Sequence, residues 1–255
     1  MIKISMKKEL QKKGQVTIFI LIAIVIVSAV LVFFLWTKPT YFSEEGRELN
    51  FEGCVKDVVN QAIGELEKKA GSINPQFTYQ YNGEQFTYLC YTNQYYETCT
   101  VQTPFLKNIF NEQMNLLVKD KIDACYSNSI SDLKSQGYSV TEGNLEYDTA
   151  IEPGIVRIEI EAPTTIGSQS LARFNVEINS PIYEMVMIST SILQSEAKYG
   201  DSDTSSIMRF YPNYIINKIK RSDGTTIYIL ENQITKNKFQ FASRSLAWPA
   251  GYVLQ

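Results

Sequence analysis

The sequence predicts an α+β protein: one N-terminal transmembrane helix followed by an extracytoplasmic domain of antiparallel sheets and amphipathic helices. Three observations lead there. Residues 16–36 (VTIFILIAIVIVSAVLVFFLW) form a run of 21 positions without charge, Pro or Gly. Beyond it, stretches with apolar residues three and four apart alternate with stretches of period two. All four cysteines lie on the far side of the run.

A helix of that length spans ~31 Å, about the thickness of a bilayer's hydrocarbon. A helix apolar on every side suits lipid better than the surface of a domain. Lys3, Lys7, Lys8, Lys12 and Lys13 precede it against a single acid, Glu9. Lysine bias keeps the flank that carries it in the cytoplasm, so residues 1–14 are expected inside and residues 37–255 outside the cell. The expected organisation is a basic leader at 1–14, an apolar helix at 15–37, a Cys-containing helix–hairpin–helix region at 38–137, and a meander with helices at 138–255. A cleavable secretory signal fits poorly, because the run leaves through Thr37-Lys38-Pro39-Thr40 without a small-x-small site.

The junction Lys12-Lys13-Gly14-Gln15-Val16-Thr17-Ile18-Phe19 resembles the class III (prepilin) signal of archaeal type IV pilin-like proteins. The resemblance implies cutting between Gly14 and Gln15 by a membrane peptidase, with the apolar helix kept as the mature N-terminus. It implies partners as well: membrane lipid along 16–36, a prepilin-type peptidase, and other pilin-like subunits. Phe19 takes the fifth mature position, where many pilins carry Glu. The region beyond residue 40 resembles single-span, Cys-containing surface proteins of small archaea, with a Cys-bearing amphipathic helix, Tyr-rich strands and a second helix ending in Cys.

After Pro39, Ser43 offers an N-cap, with Glu44 and Glu45 in the first turn. Phe51, Cys54, Val55, Val58, Val59, Ala62, Ile63 and Leu66 then keep helical spacing up to Gly71. Segments 77–81 and 85–89 flank Asn82-Gly83, a strong hairpin signal. A strand at 98–102 follows. A helix is expected from about Pro104 to Tyr126 and a short one at 131–136, closed by Gly137. Period-two strands come next at 144–151, 155–161 and 171–179, with turns at Pro153-Gly154 and 163–167. Helices at about 181–199 and 205–220 precede strands at about 225–231 and 238–242.

Composition excludes more than it assigns. The chain has no histidine, which removes imidazole bases, His-based nucleophile pairs and nearly all common zinc sites. Residues 15–255 hold 26 acidic against 19 basic side chains, a balance unsuited to nucleic acid. No cofactor motif is present, and the expectation is a protein that is not an enzyme.

Cys54, Cys90, Cys99 and Cys125 are expected as disulfides, which suits a translocated domain. Four cysteines allow three connectivities. Cys90 and Cys99 end and open neighbouring strands around the loop 92–97, while Cys54 and Cys125 sit on apolar helix faces, which favours 90–99 and 54–125. Tyr95 and Tyr96 in that loop are the candidate binding residues, since Tyr on a braced loop gives contact area at low entropic cost. Asp201-Ser202-Asp203 lacks the Gly and the bidentate Glu of a calcium loop and reads as a capping turn. Glu159 and Glu161 share a strand face, as alternation alone requires. The function expected is a membrane-anchored structural or interaction protein, a pilin-like subunit or adhesin, with a non-polymerising surface binding module as the alternative.

Overall fold

The structure, a computed structural model, describes residues 24, 26–28 and 51–247. The chain divides into two units, Met1–Glu48 and Leu49–Gln255. In the first unit, Ile24 and residues 26–28 are helical, with Ile24, Ile26 and Val27 exposed. Most of the apolar run lies outside the described residues, as do Gly14, Gln15 and the expected cap at Ser43. Among the described residues no helix is long and apolar enough to cross a membrane.

The second unit is α+β. Helix α1 (Phe51–Lys68) buries Phe51, Val55, Val59, Ala62, Ile63 and Leu66, the stripe that its spacing predicts. It stops where Gly71 adopts φ 82° and returns its N–H to the Leu66 carbonyl at 2.8 Å. The hairpin β1 (Thr78–Tyr81) and β2 (Glu84–Tyr91) turns at Asn82-Gly83, both at positive φ. The two residues Thr100–Val101 form β3, shorter than the strand expected at 98–102.

Helix α2 (Leu106–Ser135) is continuous for 30 residues, which corrects the expected break near Tyr126. No Gly or Pro interrupts positions 105–136, and Ser129 and Ile130 keep the buried stripe going past Cys125. Its Asn115 side-chain oxygen accepts from the Thr149 N–H and hydroxyl, and its Asn111 from the Ile151 N–H. These amides occupy two backbone N–H groups of β5 (Glu146–Glu152), which makes it a poorer template for another strand.

Strand β6 (Ile155–Ile166) is central to a four-stranded antiparallel sheet. Strands β5 and β4 (Val140–Thr141) lie along one edge and β7 (Gln169–Asn179) along the other. The turn expected at 163–167 is smaller, because β6 runs through Pro163 to Ile166. The ladder accommodates the missing N–H with a register shift between Glu161 and Thr164.

Helix α3 (Ile182–Tyr199) buries Met185, Val186, Ile188, Ile192 and Leu193 and packs against strands of both sheets. The helix expected at 205–220 is instead two elements. Asp203 caps a short α4 (Thr204–Phe210), and β8 (Tyr214–Lys220) follows Pro212. Pro212 ends the helix, and the isoleucines at 215, 216 and 219 favour a pleated strand. With β9 (Thr225–Asn232) and β10 (Lys238–Arg244), β8 completes a six-stranded sheet in the order β1-β2-β10-β9-β8, with β3 on β2. This sheet is mixed, not purely antiparallel, because β10 runs parallel to β2. One apolar core joins α1, α2 and α3 to both sheets, on both sides of Gly137.

Candidate interaction surface

The disulfides Cys54–Cys125 and Cys90–Cys99 are both formed, with Cα–Cα distances of 5.9 and 5.4 Å. The first ties α1 to α2. The second closes the loop 92–97 between β2 and β3. That loop is clamped again by Arg244 at the end of β10 and by Leu246 just after it. Tyr96 N–H donates to the Leu246 carbonyl at 2.8 Å, and Leu246 N–H donates to the Glu97 carbonyl at 3.1 Å. Thr92 N–H reaches the Arg244 carbonyl at 3.0 Å, while the Arg244 guanidinium donates back to the Thr92 carbonyl at 3.0 Å.

On this frame Tyr95 and Tyr96 are 77% and 81% exposed. Tyr96 sits at φ 65°, a left-handed conformation that costs a non-glycine residue roughly 1–2 kcal/mol. The backbone is thus held in a strained form that leaves two tyrosine rings in solvent.

The other tyrosines of the stretch belong to a packed face. Phe86, Tyr88, Ile227 and Ala242 form a second small core on the sheet, with Tyr79, Tyr81 and Tyr91 half-buried around it. Tyr88 meets Tyr91 edge-to-face at 5.1 Å, and its hydroxyl lies 2.8 Å from that of Thr225. Burial pushes its phenol above the ordinary range. Two guanidiniums cover this strip: Arg221 lies 4.9 Å over the Tyr81 ring and Arg244 5.6 Å over Tyr91. The strip therefore joins the tyrosine loop to a surface of aromatic faces and cationic donors.

The remaining candidates have structural roles. Asp201 pairs with Lys218 and, at 2.8 Å, with Lys220. Although burial opposes ionisation, those two amines hold its carboxyl below the usual range. Asp203 accepts from the Ser205 and Ser206 N–H groups at 3.0 and 3.3 Å as the α4 cap. Glu159 and Glu161 lie on the exposed face of β6, where Glu161 pairs with Arg173 at 2.6 Å. Among the described residues no cluster of acidic, Cys or His side chains could hold a metal ion.

Two buried acids carry no mark in the sequence pattern above. Glu196 on α3 is 1% exposed and accepts from the Tyr228 hydroxyl and, at 3.1 Å, from Ser243 Oγ. Burial raises both the Glu196 carboxyl and the Tyr228 phenol. Ser243 Oγ in turn lies 3.5 Å from Cys99 Sγ, so the network runs under the 90–99 bridge. Glu67, in the last turn of α1, is 5% exposed and takes both its hydrogen bonds from the Asn237 amide, at 2.9 and 3.2 Å. The one signal for Glu196 is positional: it falls three and four residues after Leu193 and Ile192, on a face otherwise apolar.

A scan against family models and searches of curated proteins and solved structures find no match to this chain.

Proposed function

We propose that this chain is an extracytoplasmic structural or interaction protein, anchored by the apolar helix at 16–36 and presenting its α+β head outside the cell. The observation that carries the reading is that both cysteine pairs are bridged inside the head. Such bonds persist in oxidising compartments, and reducing ones remove them. The lysine-rich leader and the uncharged run supply the orientation and the anchor. Contact with a partner is assigned to the loop bearing Tyr95 and Tyr96, whose strained and doubly clamped backbone keeps two amphipathic rings available.

Two forms of this role differ at the N-terminus. In the pilin-like form the leader is removed after Gly14, and Gln15 begins a subunit that assembles through its apolar helix. In the other form the head acts alone as a single-pass binding module, which Phe19 at the fifth mature position favours.

The test is the intact mass of membrane-extracted protein, alkylated before and after reduction, with sheared cells examined for filaments. A mass starting at Gln15, with four thiols reactive only after reduction, supports the processed subunit. A retained leader with blocked thiols supports the single module. Thiols reactive without reductant would refute the extracytoplasmic assignment for both.

A further inference from the structure

The C-terminal turn of α1 meets the start of β2 and the β9–β10 turn around a cleft of about 720 Å³. That volume falls within the range of small-molecule sites. Its walls carry Lys68, Lys69, Lys236 and Lys238. Four of the 19 basic residues beyond the leader thus line one cleft, on a part of the chain with 26 acids.

These amines are incompletely neutralised. Lys69 is held by Glu65 at 2.8 Å and by the Ile73 carbonyl at 3.2 Å. Lys236 and Lys238 share the single carboxylate of Glu231, at 4.0 and 3.4 Å. Lys68 enters none of the ion pairs among the described residues. Glu84 also lines the cleft, so four amines face the carboxylates of Glu65, Glu231 and Glu84, and one positive charge is left over while Glu67 is protonated.

The remaining lining selects the rest of the ligand. Gln85 and Gln240 offer amides that both donate and accept, a pattern that suits hydroxyl groups. The lining has no aromatic ring, so a neutral sugar finds no stacking platform. Glu67 forms the buried wall, contacted by an amide and by no amine.

We propose that this cleft binds a small anionic polyol, a sugar acid or sugar phosphate, with its charged group between Lys68, Lys236 and Lys238 and its hydroxyls toward Gln85, Gln240 and Glu67. The proposal stands independently of the anchor and of the side of the membrane on which the head lies.

Glu67 makes the binding sensitive to pH. The charged groups lining the cleft with it are Lys68 and Lys69 from α1, Glu84 from β2, and Lys236 and Lys238 around Asn237. Burial outweighs the Asn237 hydrogen bonds and the charge of Lys68, and its carboxyl is pushed up to about 7. Protonated, it adds an O–H donor to the cleft; ionised, it opposes the incoming anion.

The experiment is calorimetric titration of the purified full chain in detergent with glucuronate, glucose 6-phosphate and glucose at low salt. Saturable binding of glucuronate or of glucose 6-phosphate, without binding of glucose, is expected, and whichever anion binds identifies the acid group. For glucuronate, affinity should fall by about tenfold between pH 6 and pH 8 if only protonated Glu67 accepts the ligand. Glu67→Gln should bind without that pH dependence. The triple variant Lys68→Gln/Lys236→Gln/Lys238→Gln, altered only at exposed positions, should melt as the parent does and bind no anion. Absence of saturable binding of both anions, equal binding of glucose, or full binding by the triple variant would overturn the site. A pH dependence that survives in Glu67→Gln would remove Glu67 from it.

Discussion

Replacing Glu67 with Gln should stabilise the head at neutral pH and leave it unchanged in acid. In the native state desolvation raises this carboxyl from an ordinary 4.5 to about 7, against the Asn237 hydrogen bonds and Lys68. Below pH 4.5 both native and unfolded chains hold the proton, and Glu67 contributes no pH dependence. Between 4.5 and 7 the unfolded chain releases its proton while the native chain keeps it, so native stability falls as pH rises. Each pH unit across that interval is worth about 1.4 kcal/mol, which puts the accumulated loss at about 3 kcal/mol above pH 7. Gln has the same shape and no charge, and its carbonyl oxygen can still accept from the Asn237 amide. Guanidinium unfolding of parent and variant at half-unit steps from pH 4 to pH 8, with disulfides intact, isolates this residue as the difference between the two curves. That difference should be near zero at pH 4, grow through pH 5–7 in favour of the variant, and level off. A flat difference, or one favouring the parent above pH 7, would refute the account of Glu67 as an acid whose burial outweighs its amide partner and the charge of Lys68.

The two disulfides should differ in weight, because chain-entropy cost grows with loop length. Cys54→Ala/Cys125→Ala, which opens a separation of 71 residues, should cost about 4.4 kcal/mol, and Cys90→Ala/Cys99→Ala, at a separation of 9, about 2.7 kcal/mol; denaturant midpoints in the reverse order would contradict this. Gly224→Ala tests the clamp on the tyrosine loop. Gly224 has φ 87°, and an added Cβ would press on Leu246 Cδ2 and lie 3.3 Å from the Ser245 carbonyl. The substitution should cost about 2 kcal/mol and speed proteolysis within 92–97, since Leu246 holds Tyr96; unchanged cleavage would show that the loop is fixed by its disulfide alone.

Local signals make much of the head legible. The α1 stripe, the Asn82-Gly83 hairpin and the period-two strands are each set by residues within one element, and the structure builds all three. The segments that depart from expectation are those where a neighbour overrides the local signal. Pro212 falls inside an expected helix, yet the strand after it is fixed by pairing with β9 along its whole length. Pro163 reads as a turn, but pairing with β7 resumes at Thr164 and with β4 at Thr165, carrying the strand past it. The helix expected to end near Tyr126 continues, because Ser129 and Ile130 find buried places against the rest of the core.

The buried acids are harder to see, because their meaning depends on contacts far apart in sequence. Glu196 meets Tyr228 and Ser243 across separations of 32 and 47 residues, and Glu67 meets Asn237 across 170. These contacts come with the insertion of β10 beside β2 in parallel, which places the C-terminal strands against α3 and the end of α1. No local pattern encodes a parallel pairing between strands so far apart in the chain. The same insertion produces both candidate surfaces. Just past its far end Leu246 supplies the carbonyl that accepts from Tyr96 N–H, and at its near end Asn237 and Lys238 line the cleft with Lys68. The tyrosine loop and the lysine cleft therefore sit at opposite ends of one strand.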